Sequence, residues 1–335
     1  MANKRILDVV DSPADLKLLT DDELSILARE IREQIITTTS KTGGHVASSL
    51  GAVEIILAVH SLLNCPEDKF IFDVGHQSYA HKLVTGRRDR FDTLRTFHGI
   101  SGFPKPSESE CDVPVSGHAS ASLSVAVGLA KARALSGGTN KIVALIGDAA
   151  LGGGMAFEAL NYIGQAQLPM VIILNDNEMS ISRNVGALAR YLGEKRASRE
   201  YTRTRDSVQS VLEASGPLGR GLVDLGRNAK DSFKQMVIPG EMLFEKLGIT
   251  CTAPIPGHDI AALKRALRVC LKADGPTLLH VVTKKGKGYD PAEENPSKFH
   301  GIGPYDIATG EVKKGSSSAP KYTSVFSKAI VAEAE

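Results

Sequence analysis

The feature that most constrains the fold is a strand, helix, strand pattern within residues 141–182. The runs KIVALIG at 141–147 and MVIILN at 170–175 are apolar, rich in β-branched residues and of strand length, and MAFEALNYIGQA between them has helical spacing. Such units are almost always right-handed crossovers between parallel strands, so both strands end at the same edge of the sheet, where α/β proteins bind ligands. The sequence therefore predicts an α/β fold, with a parallel sheet flanked by helices.

Polar side chains stand just past both strand ends, Asp148 after the first and Asn177 after the second. Mg²⁺ takes about six oxygen ligands, typically one or two from protein side chains, with phosphate oxygens and water completing the shell. Asp148 and Asn177 suit this role, and the backbone carbonyl of Met179 can supply a third oxygen. A lone Asp after a glycine is more often a helix N-cap. Two polar strand ends at crossover spacing favour a metal-bound diphosphate instead.

Three consecutive glycines, Gly152, Gly153 and Gly154, precede the helix of this unit. Glycines let the backbone approach a diphosphate closely, and amide groups at the N-terminus of the following helix point toward the anion. The segment has neither a Walker-type GlyLysSer nor a GlyXGlyXXGly opening. The pattern favours a metal-diphosphate cofactor other than a nucleotide.

Three histidines stand in loops rich in glycine and serine, namely His45, His76 and His118. A histidine in such a loop usually satisfies a backbone group, but a side chain that titrates near neutrality also suits proton transfer. His60 and His280 lie among apolar residues, and we expect them to pack within a helix and a strand.

Two basic segments receive different interpretations. LysLysGlyLysGly at 284–288 follows a predicted strand at the same sheet edge, which favours support for a phosphorylated ligand over a solvated loop. The other cluster is interpreted as a solvated loop or helix and comprises Lys195, Arg196, Arg199, Arg203 and Arg205.

Composition excludes several classes of function. The formal charge of the 335-residue chain is only +2, which gives no support for nucleic-acid binding. No run approaches the roughly 18 apolar residues of a membrane span, and the start lacks the apolar core of a secretion signal, so we expect a cytoplasmic protein. The cysteines form no CysXXCys pair, which suggests neither a zinc site nor a disulfide framework. We expect reduced packing residues at Cys65, Cys111, Cys251 and Cys270.

Periodicity and turn residues divide the chain. An N-terminal helix is predicted after Thr20 or Asp21, with Leu24, Leu27, Ile31 and Ile35 at helical spacing. Further helices are predicted at about 49–63, 120–135, 154–166 and 259–273, and strands near 69–73, 141–147, 170–175 and 276–283. Residues 184–240 are expected to form helices and a mobile cover. The predicted domains are a diphosphate- and metal-binding domain at 1–314, a linker at 315–321 and the start of a second domain at 322–335.

The motifs GDAALGGGMAFEALN and NDNEMSIS resemble the thiamine diphosphate signature, an Asp-centred turn followed one crossover later by an Asn-rich strand end. More closely, they resemble the 1-deoxy-D-xylulose 5-phosphate synthases, a family related to the transketolases. Counterparts of other family motifs follow in order: TGGHVASSLGAVE (42–54), FDVGHQSYAHKLVTGR (72–87), GISGFPKPSESECD (99–112), SGHASASLSVAVGLAKAR (116–133), PGHD (256–259), TKKGKGYDPAE (283–293) and KFHGIGPYD (298–306).

The resemblance implies a thiamine diphosphate-binding fold, with thiamine diphosphate and Mg²⁺ as cofactors. It implies that His45 and His76 are catalytic and line the substrate side of the thiazolium ring. The residues that it places at the cofactor are His45, His76, Gly117, His118, Ala119, Asp148, Ala149, Ala150, Asn177 and Tyr289, with Asp148, Asn177 and Met179 at the metal ion.

The resemblance also implies an activity, the condensation of pyruvate, with loss of carbon dioxide, and D-glyceraldehyde 3-phosphate for isoprenoid and thiamine precursors. The family dimerises and activates its cofactor with a Glu of a pyrimidine-binding domain, which no position here matches. We therefore expect a chain that is incomplete for activity and acts as a homodimer or with a partner chain carrying that domain. The alternatives are the N-terminal subunit of a split transketolase and an inactive cofactor-binding module; NDNEMSIS and GFPKPSES favour the synthase over the transketolase.

Three alanines depart from the family pattern. Ala149 stands where the family usually has the second glycine of GlyAspGly, and its methyl group is tolerated if φ is negative but strains the turn if φ is positive. Ala119 and Ala121 stand where Ser and Thr are common. Each removes a hydroxyl group, which predicts a loss of about 1 kcal/mol in cofactor binding.

Overall fold

The structure is a computed structural model that describes residues 5–114, 117–197, 243–313, 320 and 322–334. Within these ranges, one parallel sheet contains β1 (Lys69–Phe72), β2 (Ile142–Gly147), β3 (Val171–Asp176), β4 (Thr250–Cys251), β5 (Ile255–Pro256) and β6 (Thr277–Val282). The order is β1-β2-β3-β6, and β4 and β5 pair in succession with the other edge of β6.

The helices surround this sheet. They are α1 (Pro13–Leu16), α2 (Asp21–Thr42), α3 (Val46–Gly51), α4 (Val53–His60), α5 (Tyr79–Lys82), α6 (Ser122–Ser136), α7 (Asp148–Leu151), α8 (Gly154–Ala166), α9 (Ala187–Ala197), α10 (Leu243–Lys246), α11 (Ile260–Cys270), α12 (Asp290–Glu294) and α13 (Tyr322–Ala334). Every predicted strand is present. The helix predicted at 49–63 is divided into α3 and α4, and the helices predicted after Thr20 or Asp21 and at 120–135, 154–166 and 259–273 are confirmed within a few residues. Of the helices and cover predicted at 184–240, the structure describes α9, and residues 198–240 lie outside the described residues.

Helix α2 begins where the sequence predicts. The Thr20 hydroxyl accepts a hydrogen bond from the Glu23 amide at 3.2 Å, and the Glu23 carboxylate accepts one from the Thr20 amide at 2.8 Å, which is a capping box. Its face of Leu24, Leu27 and Ile31 is fully buried against the neighbouring helices. Each such side chain contributes about 1.5–3 kcal/mol to folding.

The strands separate two apolar cores. Val143 and Leu145 of β2 belong to the core shared with α2, α4 and α11, whereas Ala144 and Ile146 belong to the core shared with α6, α7 and α8. This alternation follows from the twofold period of a strand. Both faces of the sheet are therefore covered by helices, which confirms the predicted fold class.

The cysteine prediction is wrong for one pair. Cys65 and Cys111 form a disulfide, with sulfur atoms 2.23 Å apart and Cα atoms 5.6 Å apart. The two residues are 46 positions apart, and only the fold brings their loops together. Cys251 and Cys270 are buried thiols, as predicted.

Other expectations have mixed outcomes. His60 lies in α4 and His280 in β6, both buried as predicted. Helix α13 lies in the predicted start of the second domain, and its side chains are exposed. No helix among the described residues is long and apolar enough to cross a membrane. The description does not cover Arg199, Arg203, Arg205, the side chains of Lys195 and Arg196, or the linker region apart from position 320.

Candidate functional site

Asp148 links the ends of β2 and β3. One carboxylate oxygen, Oδ2, accepts hydrogen bonds from the backbone amides of Asn177 at 3.2 Å and Glu178 at 2.8 Å, and Oδ1 accepts one from the Ala149 amide at 2.9 Å. The Asn177 side-chain oxygen accepts a hydrogen bond from the Met179 amide at 3.1 Å. Because β2 and β3 are paired neighbours, residues 148 and 177–179 meet at one edge of the sheet.

The surroundings of Asp148 disfavour the charged form of its carboxyl group. Burial, together with the neighbouring carboxylate of Asp176, raises the pKa of Asp148 to about 7. Asp176 Oδ2 in turn accepts a hydrogen bond from His280 Nε2 at 2.8 Å. No cluster of three His, Cys, Asp or Glu side chains within the described ranges could hold a metal ion. A divalent ion at this edge would need amide, carbonyl and phosphate oxygens beside Asp148, which is the donor set that suits Mg²⁺.

The glycine turn before α8 has two distinct neighbours. A Cβ atom at Gly153 would lie 2.0 Å from the Ser120 hydroxyl oxygen, so only glycine fits there. A Cβ atom at Gly154, the first residue of α8, would have no atom of the described residues within 4 Å. Within the described part of the chain, the N-terminus of this 13-residue helix is therefore uncovered, as an anion site requires.

The loop at 117–122 is held against this turn by a residue that sequence reasoning missed. Asp73, directly after β1, accepts hydrogen bonds from the backbone amides of Ser120 at 2.8 Å and Ser122 at 3.0 Å. The Ser120 hydroxyl donates to the Ala150 carbonyl at 2.7 Å. The sequence signal for Asp73 was its position, because it is a third polar residue directly after a predicted strand.

The predicted cofactor residues of this region therefore lie in adjoining segments, the loop at 117–119 and helix α7. Gly117, with a φ of +73°, and the exposed residues His118 and Ala119 precede Ser120. Ala149 and Ala150 lie in α7 with helical backbone angles, and Ala149 is not among the residues with positive φ. The Ala149 methyl group is therefore tolerated without backbone strain, as expected from the sequence for a negative φ.

His45 and His76 meet a third histidine whose role the sequence did not reveal. The ring centroids are 5.3 Å apart for His45 and His76, 5.8 Å for His45 and His300, and 5.2 Å for His76 and His300. Phe103 packs edge-on against His45 at 5.8 Å. We call His45, His76 and His300 the histidine triangle.

Two glycines place His300 in this triangle. Gly44 and Ile302 exchange backbone hydrogen bonds of 2.8 and 3.1 Å, which pairs the segment around His300 with the start of α3. A Cβ atom would lie 2.7 Å from the Ile302 carbonyl at Gly43 and 2.6 Å from the Tyr79 hydroxyl at Gly44. The two glycines of the GlyGlyHis motif are therefore required by close contacts, with backbone at Gly43 and with the Tyr79 side chain at Gly44.

The triangle is held in its neutral form. Burial lowers the pKa of His45 to about 4 and that of His76 to about 3, and nearby positive charge from His300 and Lys285 acts in the same direction. The pKa of His300 is also lowered by burial. The Nδ1 atoms of His45 and His76 are buried and have no hydrogen-bond partner among the residues that the structure describes. Buried polar atoms of this kind need an explanation, and a ligand in the space they line would supply it.

One lysine of the basic turn at 284–288, Lys285, lies at the candidate site. Lys285 is buried, and its ammonium group contacts the Ser180 carbonyl and lies 3.2 Å from His300 Nδ1. Burial lowers the pKa of Lys285 to about 8, and the Asp148 carboxylate opposes this effect. Lys284 is exposed and pairs with Glu293. Lys285 therefore joins the histidine triangle to the Asp148 edge.

Tyr289 occupies a packing position. Its hydroxyl donates to the Ile307 carbonyl at 2.8 Å, and its ring lies edge-on to Phe299 at 5.4 Å. The side chain is 7% exposed and borders a surface cavity of about 520 Å³ with residues of the 307–309 turn. Its contacts support the fold, and a contact with cofactor stays a prediction.

Solved structures with the same architecture define the class of protein. A transketolase from Campylobacter jejuni superposes with a TM-score of 0.57 at 22% identity, covering 84% of this chain and 41% of the other. A transketolase from Leishmania mexicana superposes with a TM-score of 0.58 at 17% identity, covering 94% and 45%. The chain has the transketolase type of α/β fold, the thiamine diphosphate-binding fold.

Sequence comparison then identifies the family. Residues 7–283 match the family model described as 1-deoxy-D-xylulose-5-phosphate synthase. The synthase 2 of Geobacter sulfurreducens is 51% identical over 326 residues, which is 97% of this chain and 52% of that protein. The synthase of Pelotomaculum thermopropionicum is 50% identical over 327 residues, covering 98% and 51%. The chain belongs to the 1-deoxy-D-xylulose-5-phosphate synthase family and spans about half the length of the curated relatives it matches.

Proposed function

We propose that this chain is the cofactor-diphosphate half of a 1-deoxy-D-xylulose 5-phosphate synthase, which condenses pyruvate, with decarboxylation, and D-glyceraldehyde 3-phosphate. The observation that carries the proposal is the meeting of the buried Asp148 carboxylate with the Asn177 turn, beside open space at Gly154. The histidine triangle supports it. Dimerisation remains a prediction from the family resemblance, and a cytoplasmic location remains a prediction from the sequence.

In this proposal Asp148, Asn177 and the Met179 carbonyl would hold Mg²⁺. The N-terminus of α8, residues 117–119 and 148–150 and the Lys285 ammonium group would hold the diphosphate. The chemistry of the donor set fits, because one carboxylate, one amide oxygen and one carbonyl leave ligand positions for phosphate and water. Bound thiamine diphosphate supplies a nucleophilic thiazolium carbon and an electron sink for decarboxylation.

The proposed role of His45 and His76 follows from their protonation state. Lowered pKa values keep His45 and His76 neutral near pH 7, so each ring can donate one hydrogen bond and accept another. We assign them to proton transfer at the carbonyl oxygens of donor and acceptor substrates. The nearby positive charge of Lys285 discourages a lasting imidazolium. A proton taken up in one step is therefore released readily in the next.

The proposal is tested first by calorimetry. The native chain should bind thiamine diphosphate only with Mg²⁺. Asp148→Asn should weaken binding by more than the about 10- to 100-fold typical of losing an outer-shell metal partner. Asp89→Asn removes an exposed carboxylate and is the matched control, expected to bind as the native chain does. Binding without Mg²⁺ dependence, or equal binding by Asp148→Asn, contradicts the site.

Activity distinguishes the three candidate functions. The chain is mixed with pyruvate, glyceraldehyde 3-phosphate, Mg²⁺ and cofactor, with and without the separately produced second half of the Geobacter sulfurreducens relative. Product only with the added half supports the proposal. Turnover of xylulose 5-phosphate in place of pyruvate supports the split transketolase. Cofactor binding without turnover of either donor supports an inactive binding module.

A further inference from the structure

The basic turn at 284–288 is attached to the rest of the fold at four of its five residues. Two of its glycines, Gly286 and Gly288, have positive φ values of +83° and +84°, so the turn has little conformational preference of its own. The four contacts are Lys284 N to His258 Nε2 at 2.9 Å, Gly286 N to Ala47 O at 2.9 Å, Arg32 Nε to Lys287 O at 2.8 Å and Gly288 N to Glu293 Oε1 at 2.8 Å.

Two of these contacts lead to the same buried carboxylate. Arg32 of α2 binds Glu54 of α4 through two hydrogen bonds of 2.6 and 2.7 Å, and His258 Nδ1 lies 2.9 Å from Glu54 Oε2. We call Arg32, Glu54 and His258 the Glu54 network. Burial opposes the charge of Glu54, but hydrogen bonds from His258 and Arg32 lower its pKa to about 2. Glu54 is therefore a permanent anion at neutral pH.

The protonation of His258 follows from its partners. The Lys284 amide can only donate, so His258 Nε2 accepts from it and the ring proton lies on Nδ1. That proton is donated to Glu54. Both ends of the basic turn are thus tied to Glu54, Lys284 through His258 and Lys287 through Arg32. This network makes no use of the residues assigned above to cofactor or metal.

The residue between these two ties is Lys285. Its side chain is long and has several rotatable bonds, so a fixed ammonium position requires a fixed backbone. In the structure that ammonium group is buried against Ser180 and His300, between the histidine triangle and the Asp148 edge. Arg32 also donates to the Leu50 carbonyl at 3.0 Å, which attaches the same network to α3, the helix that follows His45.

We infer that Arg32, Glu54 and His258 are positioning residues that hold the basic turn so that Lys285 meets a phosphorylated ligand beside the histidine triangle. The identity of that ligand rests on the function proposed above. The attachment of the turn does not, and the two are tested separately.

His258 offers the sharpest experiment, because its side chain is partly exposed and two amide substitutions separate its contacts. In His258→Gln the amide reaches the position of Nε2 and retains an acceptor for the Lys284 amide. In His258→Asn the shorter amide reaches Glu54 but not Lys284. His98→Asn is the matched control, because His98 is exposed and has a φ of +58°, which Asn tolerates.

The first readout is hydrogen exchange of peptides covering 283–289 in the full 335-residue chain. His258→Asn should raise exchange in this turn by about fivefold or more, as for one lost hydrogen bond, with His258→Gln and His98→Asn close to native. Equal exchange in the Asn and Gln variants overturns the attachment. This readout needs no ligand and holds whether or not the chain binds cofactor.

The second readout is calorimetry with thiamine diphosphate and Mg²⁺. His258→Asn should weaken binding by about fivefold, and His258→Gln should restore it to within about twofold of native. Faster exchange in His258→Asn without weaker binding would show that the attachment of the turn does not position Lys285 for the ligand. If the native chain binds no cofactor, the function proposed above fails, and the attachment is decided by exchange alone.

Discussion

The half-buried histidine triangle and a second, fully buried histidine group have different ionic partners. Among the described residues, Nδ1 of His45 and His76 has no hydrogen-bond partner, and the same is true of Nδ1 of His60 in the second group. In the second group, both ring nitrogens of His81 are used, Nδ1 by His60 Nε2 and Nε2 by Asp112, each at 2.7 Å. Because Asp112 accepts from His81, the His81 Nδ1 atom must accept from His60. That group has one defined arrangement of protons.

The second group belongs to a larger network. We call it the buried ionic cluster, and it comprises His60, His81, Lys82, Arg87, Glu108 and Asp112. Arg87 donates to Asp112 at 2.8 Å, and Lys82 donates to Glu108 at 2.7 Å. The two carboxylates also accept from backbone amides of the 101–112 loop, which carries Phe103 to its contact with His45. The ionic cluster therefore holds the loop that packs Phe103 against His45 of the triangle.

The comparison shows that burial alone does not mark a histidine as functional. The triangle is half-buried and the ionic cluster is buried, and burial lowers the pKa of the histidines in each. They differ in position and in ion pairing, because the cluster pairs His81, Lys82 and Arg87 with Glu108 and Asp112. Breaking a buried ionic network destabilises the fold, whereas ring nitrogens without a described partner beside the sheet edge suit a ligand. Substitutions in the cluster should therefore affect folding, and those at the edge should affect binding.

The largest expected effect is on the ionic cluster. Asp112→Ala leaves Arg87 buried without its partner and should lower the free energy of unfolding by about 3–5 kcal/mol, measured by urea denaturation at pH 7. Asp89→Asn, at an exposed ion pair, should change it by less than about 0.5 kcal/mol. A loss of stability below about 1 kcal/mol for Asp112→Ala would contradict the claim that the ionic cluster, unlike the triangle, acts mainly on folding.

The second effect concerns pH and the triangle. The pKa of His76 is lowered to about 3 by burial, from an ordinary value of 6.5. Below pH 6.5 the unfolded chain binds a proton that the native chain does not, so stability is lost as pH falls from 6.5 toward 3. Between pH 7 and pH 5 this loss is on the order of 2 kcal/mol for His76.

Urea denaturation across that range tests this assignment. His76→Asn should flatten the pH dependence by the amount attributed to His76, and His98→Asn, at an exposed position, should leave it unchanged. An unchanged slope in His76→Asn would show that the pKa of this ring is the same in the native and unfolded chains, against the buried neutral state proposed for it.

The third effect separates folding from binding at the glycine turn. Gly153→Ala places a methyl group against the Ser120 hydroxyl and should cost about 1–3 kcal/mol of stability. Gly154→Ala has open space and should change stability by no more than about 0.5 kcal/mol, yet weaken binding of thiamine diphosphate with Mg²⁺. Thermal denaturation and calorimetry measure the two. Unchanged binding in Gly154→Ala would place the diphosphate elsewhere.

The smallest effect is expected at Ala149. Because this residue has helical backbone angles, Ala149→Gly should destabilise the chain by about 0.5–1 kcal/mol through backbone entropy. A gain in stability, measured by the same thermal denaturation, would mean that the alanine strains the turn and that the edge carries backbone strain absent from the ionic cluster.

The sequence by itself determined the sheet, most helices and the meeting of residues 148 and 177. Hydrophobic periodicity identifies strands and helices locally, and the fixed hand of a crossover brings the ends of consecutive parallel strands to one edge. These rules act over short separations and apply before any tertiary contact is known. The signature of the glycine turn is local for the same reason.

Only the tertiary structure decided which loop residues meet. His300 joins His45, Arg32 reaches Lys287 across 255 positions, and Cys65 pairs with Cys111. No periodicity encodes such contacts, because each depends on how two irregular segments pack, here on glycines that admit a neighbouring backbone. The number of ways to close long loops is large, and their cost depends only weakly on length, so sequence separation does not select among them. Side-chain packing and hydrogen-bond satisfaction make that selection.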